Sequence, residues 1–161
     1  MTATECSHWV FRAFVLDRAG ALTSIASAFS NEGVSIDTVV GHGSEKLAGT
    51  DGSVVLTFFC SHEEKERMVR KVRRLSKVKR LEEHPYDSQS LRKAAVIVTN
   101  RELKPCDVVG ENAFLTSELV LADSHGWRYL LAGSPRDLDP VLKRLESGKV
   151  ITDIIYSVLS V

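Results

Sequence analysis

Residues 11–36 read FRAFVLDRAGALTSIASAFSNEGVSI, and this stretch leaves few folds open to the chain. The apolar run from Phe11 to Leu16 is a strand. Asp17 stands where a helix N-cap belongs, and Gly20 lies in the turn that follows. Leu22, Ile25, Ala26 and Phe29 then recur at helical spacing, with Ser24, Ser27 and Ser30 turned away. Gly33 is placed as the residue past the helix end, and Val34, Ser35 and Ile36 open a second strand. A strand, one amphipathic helix and a returning strand form half of a two-layer sheet-and-helix unit.

The same stretch carries a chemical reading. A helix that begins in a glycine-containing turn aims unsatisfied N–H groups and the positive end of its dipole at one spot. That spot suits a carboxylate, and Gly20 admits close approach of a ligand to the backbone. A small zwitterion fits, with Asp17 beside its ammonium. The architectural alternative is that Asp17 only caps and Gly20 only turns.

Further along, Asp37 to Val40 continues the second strand. GHGSEKLAGTDG at residues 41–52 reads as a glycine-punctuated hairpin loop. Residues 54–60 form a third strand. Ser61 with Glu64 makes a capping box for a helix whose apolar face is Met68, Val69, Val72 and Leu75. Residues 77–82 alternate as a fourth strand, completing β-α-β-β-α-β, and HPYDSQS at 84–90 reads as a linker. The order then repeats. Residues 94–99, 116–122 and 127–132 are strands, the last two turned at DSHG. Ser134 caps a helix with Pro135 at its first position and Leu138, Val141, Leu142 and Leu145 on its apolar face; Gly148 stops it. Residues 150–159 close the sheet. The weak member is a helix within 104–114, where Pro105 suits the start but Gly110 falls in the middle.

The second half has no D-x-x-G-x-L turn. Residues 100–105 stand in its place without a glycine, so a structural or docking role is expected there.

Net charge is zero, which speaks against a polyanion as the main partner. The cationic run from Lys65 to Arg80 lacks the aromatic R-G-F-x-F-like context of an RNA reader, so no nucleic acid is expected; a solvated helix face or a protein contact suits it better. Cys6, Cys60 and Cys106 are odd in number and never paired as C-x-x-C, as expected of reduced thiols in a cytoplasmic protein. Residues 1–7 lack the apolar core of a signal peptide, and no run is long enough to cross a membrane. His8, His42, His62, His84 and His125 show no metal-ligand spacing. No nucleophile elbow, phosphate loop or dinucleotide fingerprint occurs, so neither catalysis nor a cofactor is expected.

DRAGAL at 17–22 followed by GVSID at 33–37 resembles the signature of the ACT domain. That resemblance implies an α+β fold of two ferredoxin-like βαββαβ modules, each an antiparallel sheet with helices on one face. The first, residues 8–84, is the amino-acid-binding type; the second, residues 92–161, is a degenerate ACT-like module. Over nearly the whole chain, and notably in LLAGSPRDLDPVLKRLESGKVITDI at 130–154, the sequence resembles the small regulatory subunits of acetolactate synthase. Their pattern implies a homodimer through the first module and an amino-acid effector at its interface. It also implies a large, thiamine-diphosphate-dependent catalytic partner. The effector contacts it implies are Asp17, Arg18, Ala19, Gly20, Ala21, Leu22, Ser35 and Ile36. Where that family carries asparagine in the first loop and at the second strand, this chain has Asp17 and Ser35. A serine hydroxyl reaches less far than an amide, so weak valine binding or a different effector is expected. A free-standing amino-acid sensor of the same fold is the alternative.

Overall fold

The structure, a computed structural model, describes residues 5–16, 18–43, 50–109 and 115–160. Two compact units divide the chain, Met1–Tyr86 and Asp87–Val161. In the first, strands β1 (Ser7–Val15), β2 (Ile36–Gly43), β3 (Gly52–Cys60) and β4 (Val78–Pro85) enclose helices α1 (Arg18–Asn31) and α2 (His62–Arg73) in the chain order β-α-β-β-α-β. The sheet order is β2-β3-β1-β4, antiparallel throughout. The second unit repeats it with β5 (Leu91–Thr99), α3 (Pro105–Val108), β6 (Thr116–Asp123), β7 (Gly126–Gly133), α4 (Pro135–Ser147) and β8 (Ile151–Ser160). Its sheet order is β6-β7-β5-β8. Each unit is therefore the expected ferredoxin-like α+β module.

Both helices of the first unit lie on one face of its sheet, because side chains of α1 and α2 share a single core with alternate residues of β1 and β3. Phe11, Ala13, Val15, Leu56 and Phe58 meet Ile25, Phe29, Met68 and Val72 there. Phe11, Phe29 and Phe58 pack edge-on to one another at centroid distances of 4.7 to 6.2 Å, an arrangement aromatic quadrupoles favour. In the second unit Ala95, Ile97, Tyr129 and Leu131 of the sheet meet Leu138, Val141, Leu142 and Leu145 of α4.

Local chemistry sets the helix ends. Ser61 accepts from the Glu64 N–H while the Glu64 carboxylate accepts from the Ser61 N–H, the predicted capping box. Ser134 caps α4 through the Asp137 N–H at 3.2 Å. Gly33 (φ +69°) ends α1 in a Schellman turn, with Val34 N–H donating to Phe29 O and Gly33 N–H to Ser30 O, both 3.1 Å.

Several expectations shift. The strands reach into the expected loop 41–52: β2 runs to Gly43 and β3 starts at its partner Gly52; residues 44–49 lie outside the described residues. A Cβ at Gly52 (φ +143°) would sit 2.1 Å from the His42 carbonyl oxygen, which is why a glycine occurs inside this ladder. His84 and Pro85 belong to β4 rather than to a linker, and β5 starts at Leu91 rather than at residue 94. The helix sought within 104–114 is the short α3; Gly110 and its neighbours up to residue 114 are outside the described residues. After α4 the left-handed residue is Lys149 (φ 54°), with Gly148 the C-cap at φ −76°. Val150 N–H donating to Leu145 O and Lys149 N–H to Glu146 O, both 2.9 Å, place that Schellman turn one residue later than the glycine suggests.

One corner of each unit is built alike from different residues. In the first unit the Lys65 ammonium of α2 is buried against Glu66 (2.6 Å), Glu83 of β4 (2.8 Å) and the Trp9 ring of β1 (4.8 Å). Burial works against that charge, but the bonds from Glu66 and Glu83 outweigh it and raise the Lys65 pKa. In the second unit the buried ammonium is Lys93 of β5, held by Asp139 of α4 (2.7 Å) and lying 3.8 Å from the Tyr156 ring of β8. Trp9 pairs with Pro85 as Lys93 pairs with Val158, and Phe11 with Glu83 as Ala95 with Tyr156. With the caps Ser61 and Ser134 aligned, Lys65 matches Leu138 and Glu66 matches Asp139. The helix carboxylate keeps its place, while the cation moves from the helix to the first strand and the ring from the first strand to the last.

Candidate functional site

The predicted site begins where β1 gives way to α1. Leu16 leaves the sheet, its N–H donating to Lys77 O at 2.8 Å. Asp17 is outside the described residues, as is the side chain of Arg18. Ala19 is exposed, Gly20 half-buried, Ala21 fully buried in the core, and Leu22 exposed at 37%. Gly20 is not in a turn; it is the third residue of the helix. The Ser24 hydroxyl donates to Gly20 O (2.9 Å) and the Thr23 hydroxyl to Ala19 O (3.2 Å), so the first turn is tied to the second through side chains.

The buried face of α1 is Ala21, Ile25, Ala28 and Phe29. Leu22 and Ala26, expected inward, face out. The helix is rotated relative to the expectation because Ala21 and Ala28 let it sit close to the sheet, and Leu22 is then left on the solvent side. Ser35 is exposed and precedes β2, which starts at Ile36, two residues later than expected; Ile36 is half-buried against the core.

The two parts of the predicted site are far apart within one unit. Ile36 pairs with Phe58, which also pairs with Trp9 near the start of β1, whereas Val15, just before the turn, pairs with Gly52. Phe58 and Gly52 are six residues apart on β3, about 20 Å at strand rise. Residues 19–22 thus lie at one end of α1 and Ser35–Ile36 at the other. No single copy joins them.

A feature the sequence reading missed fixes the start of β2. Between Ile36 and Thr38 the register with β3 shifts, leaving Asp37 as the bulged residue. The buried Thr57 hydroxyl lies 2.7 Å from the Thr38 hydroxyl, accepts from the Thr38 N–H (3.1 Å) and donates to the Asp37 carboxylate (3.3 Å). His8 Nε2 approaches the same carboxylate at 3.7 Å, and its ring is stacked between Phe59 and Tyr86 at 3.9 and 3.6 Å. The one sequence signal was a lone threonine in the apolar strand VVLTFF.

Beyond the C-terminal end of α1, Glu32 takes Lys71 and Arg67 of α2, the latter at 3.3 Å, and the Lys71 ammonium with Arg67 beside it holds the Glu32 carboxyl below its usual range. Among the described residues no cluster of three histidine, cysteine or acidic side chains suits a metal ion, and no helix is long and apolar enough to cross a membrane.

The class this geometry defines is a tandem of ferredoxin-like βαββαβ modules. The particular structure it resembles is the acetolactate synthase small subunit from Thermotoga maritima, with a TM-score of 0.68 and 16% identity over 96% of each chain. At that identity the likeness is one of fold. The ligand-free regulatory subunit of aspartate kinase from Thermus thermophilus is also similar, at a TM-score of 0.48 and 10% identity over 89% of this chain and 94% of that one. No family model and no curated protein sequence matches the chain.

Proposed function

We propose that the chain is a non-catalytic regulatory subunit of the acetolactate synthase kind. It binds an amino-acid effector between two copies of the first unit. Through that binding it modulates a thiamine-diphosphate-dependent catalytic subunit in branched-chain amino acid biosynthesis. The observation that carries this reading is correspondence of fold with a small subunit over 96% of both chains.

The separation of the two site segments adds support for an interface. Strand β2 is a sheet edge running from Ile36, at the far end of α1, toward the near end at Gly43. Antiparallel pairing of two β2 edges about a two-fold axis would carry Ser35 and Ile36 of one copy to the end where Ala19–Leu22 of the other begin their helix. Neither copy holds the whole site, so ligand occupancy and dimer packing become linked.

The test combines the chain with the catalytic subunit from the same source and follows acetolactate formation with and without valine. The expected result is a rise in activity on mixing, with weak valine inhibition because Ser35 stands in for a longer amide. Gly20→Val is expected to abolish the effector response while keeping the circular dichroism of the parent. No rise and no co-purification would remove the regulatory reading. Amino-acid binding that survives such a result would favour a free-standing sensor, the reading Asp17 and Ser35 favour.

A further inference from the structure

An open groove of about 490 Å³ runs over the helix layer of the first unit, between α1 and the end of α2. Ser24, Ser27 and Ala28 of α1 line it on one side, with Lys71 of α2 and Arg74 and Leu75 just past that helix on the other. Lys71 is engaged by Glu32, but the exposed Arg74 side chain makes no ion pair among the described residues, and neither do Arg70 and Lys79. Residues 67–80 contain eight cations and no carboxylate; Glu32 takes Arg67 and Lys71, Glu82 takes Arg80, and Glu83 takes Arg73 as well as Lys65. The surplus is positive and sits beside a concavity lined in part by small side chains.

We propose that this groove receives an acidic helical segment of the catalytic partner. The inference rests on the regulatory reading and gives it a docking surface. A furrow between two helices lined by serine and alanine admits a third helix closely, and Arg74 on its rim, with the exposed cations Arg70 and Lys79 elsewhere on the same basic run, selects one bearing carboxylates. No aromatic side chain lines the groove, so it offers no platform for stacked bases. The groove is also joined to the effector turn. Its lining residues Thr23 and Ser24 are the hydroxyls bonded to the Ala19 and Gly20 carbonyls, so one rigid helix carries the effector contacts at its end and the partner contact on its flank.

The test uses the full chain and a labelled Glu/Ala-rich peptide of about 20 residues, long enough to hold a helix. Binding is followed by anisotropy at low and moderate salt, with a single-stranded RNA oligonucleotide of equal charge in parallel. The peptide is expected to bind more tightly than the RNA and to weaken as salt rises. Arg74→Glu is expected to weaken it about tenfold, and Ser27→Trp, which fills the groove without changing charge, similarly. Arg136→Glu, an exposed site on α4, is expected to leave it unchanged. Peptide binding indifferent to both groove variants, or a preference for RNA, would overturn the proposal. Capture of the catalytic subunit separates the two readings. Capture that Arg74→Glu and Ser27→Trp leave intact sinks the groove and spares the regulatory function. No capture by the parent chain, with groove-dependent peptide binding, sinks the regulatory function and leaves an acidic-partner site.

Discussion

Lys149 holds φ 54°, a backbone state costly for any residue with a Cβ, directly after a glycine that does not use its freedom. Lys149→Gly should stabilise the second unit by about 1 kcal/mol, read as a higher urea midpoint with unchanged slope. Asp107 offers a pH-dependent contrast. Arg101, paired at 2.7 and 3.0 Å, and the Lys104 N–H hold its carboxyl down at about 2 from an ordinary 3.8. A carboxyl depressed on folding adds stability above its unfolded pKa and loses that stability as pH falls through the folded value. Asp107→Asn should therefore cost about 1 kcal/mol at neutral pH, a typical loss for a helix-start carboxylate, and the gap to the parent should close between pH 4 and pH 2. Denaturant unfolding at several pH values checks both sign and window. Equal gaps at pH 7 and pH 2 would mean the carboxylate is not what anchors α3.

At the scale of elements, α1 shows what a sequence reveals and what it hides. Ile25→Ala should cost about 2–4 kcal/mol and Phe29→Ala about 3–5, whereas Leu22→Ala should stay within about 1 kcal/mol. Thermal or urea unfolding of the three variants checks the order, and a large loss at Leu22 would restore the expected helix face. The starts of α2 and α4 were legible because Ser61 with Glu64, and Ser134 with Pro135, carry their instructions within four residues. The rotation of α1 was not, since its faces differ mainly in small residues and the contrast between Ala21 and Leu22 depends on how closely the sheet approaches. The bulge at Asp37 was hidden for a related reason, because its partner Thr57 is distant in sequence. The candidate site was legible as two motifs but not as a geometry. A linear pattern does not show that residues 19–22 and 35–36 lie at opposite ends of one helix.

For the whole molecule, the division at Tyr86 and the separate core of each unit imply independent folding. A fragment of residues 1–86 should give a native-like far-ultraviolet spectrum and one cooperative urea transition. A non-cooperative melt would mean that the first core is incomplete without the second half. Dimerisation belongs to the same scale. Sedimentation of that fragment should show a concentration-dependent dimer if β2 edges pair, and a monomer at all concentrations would move the interface elsewhere.

Tandem copies of one fold invite a particular error, in which a strand of one repeat enters the sheet of the other while the chain is still collapsing. The exchanged corners make that error costly. If β1 took the place of β5, Trp9 would arrive where Lys93 belongs, leaving the Asp139 carboxylate and the Tyr156 ring without their cation. The reverse exchange would bring the Lys93 ammonium against that of Lys65, two buried like charges in one corner. Each repeat thus carries a lock that the other repeat's strand does not fit, and the pairing of halves is proofread by charge.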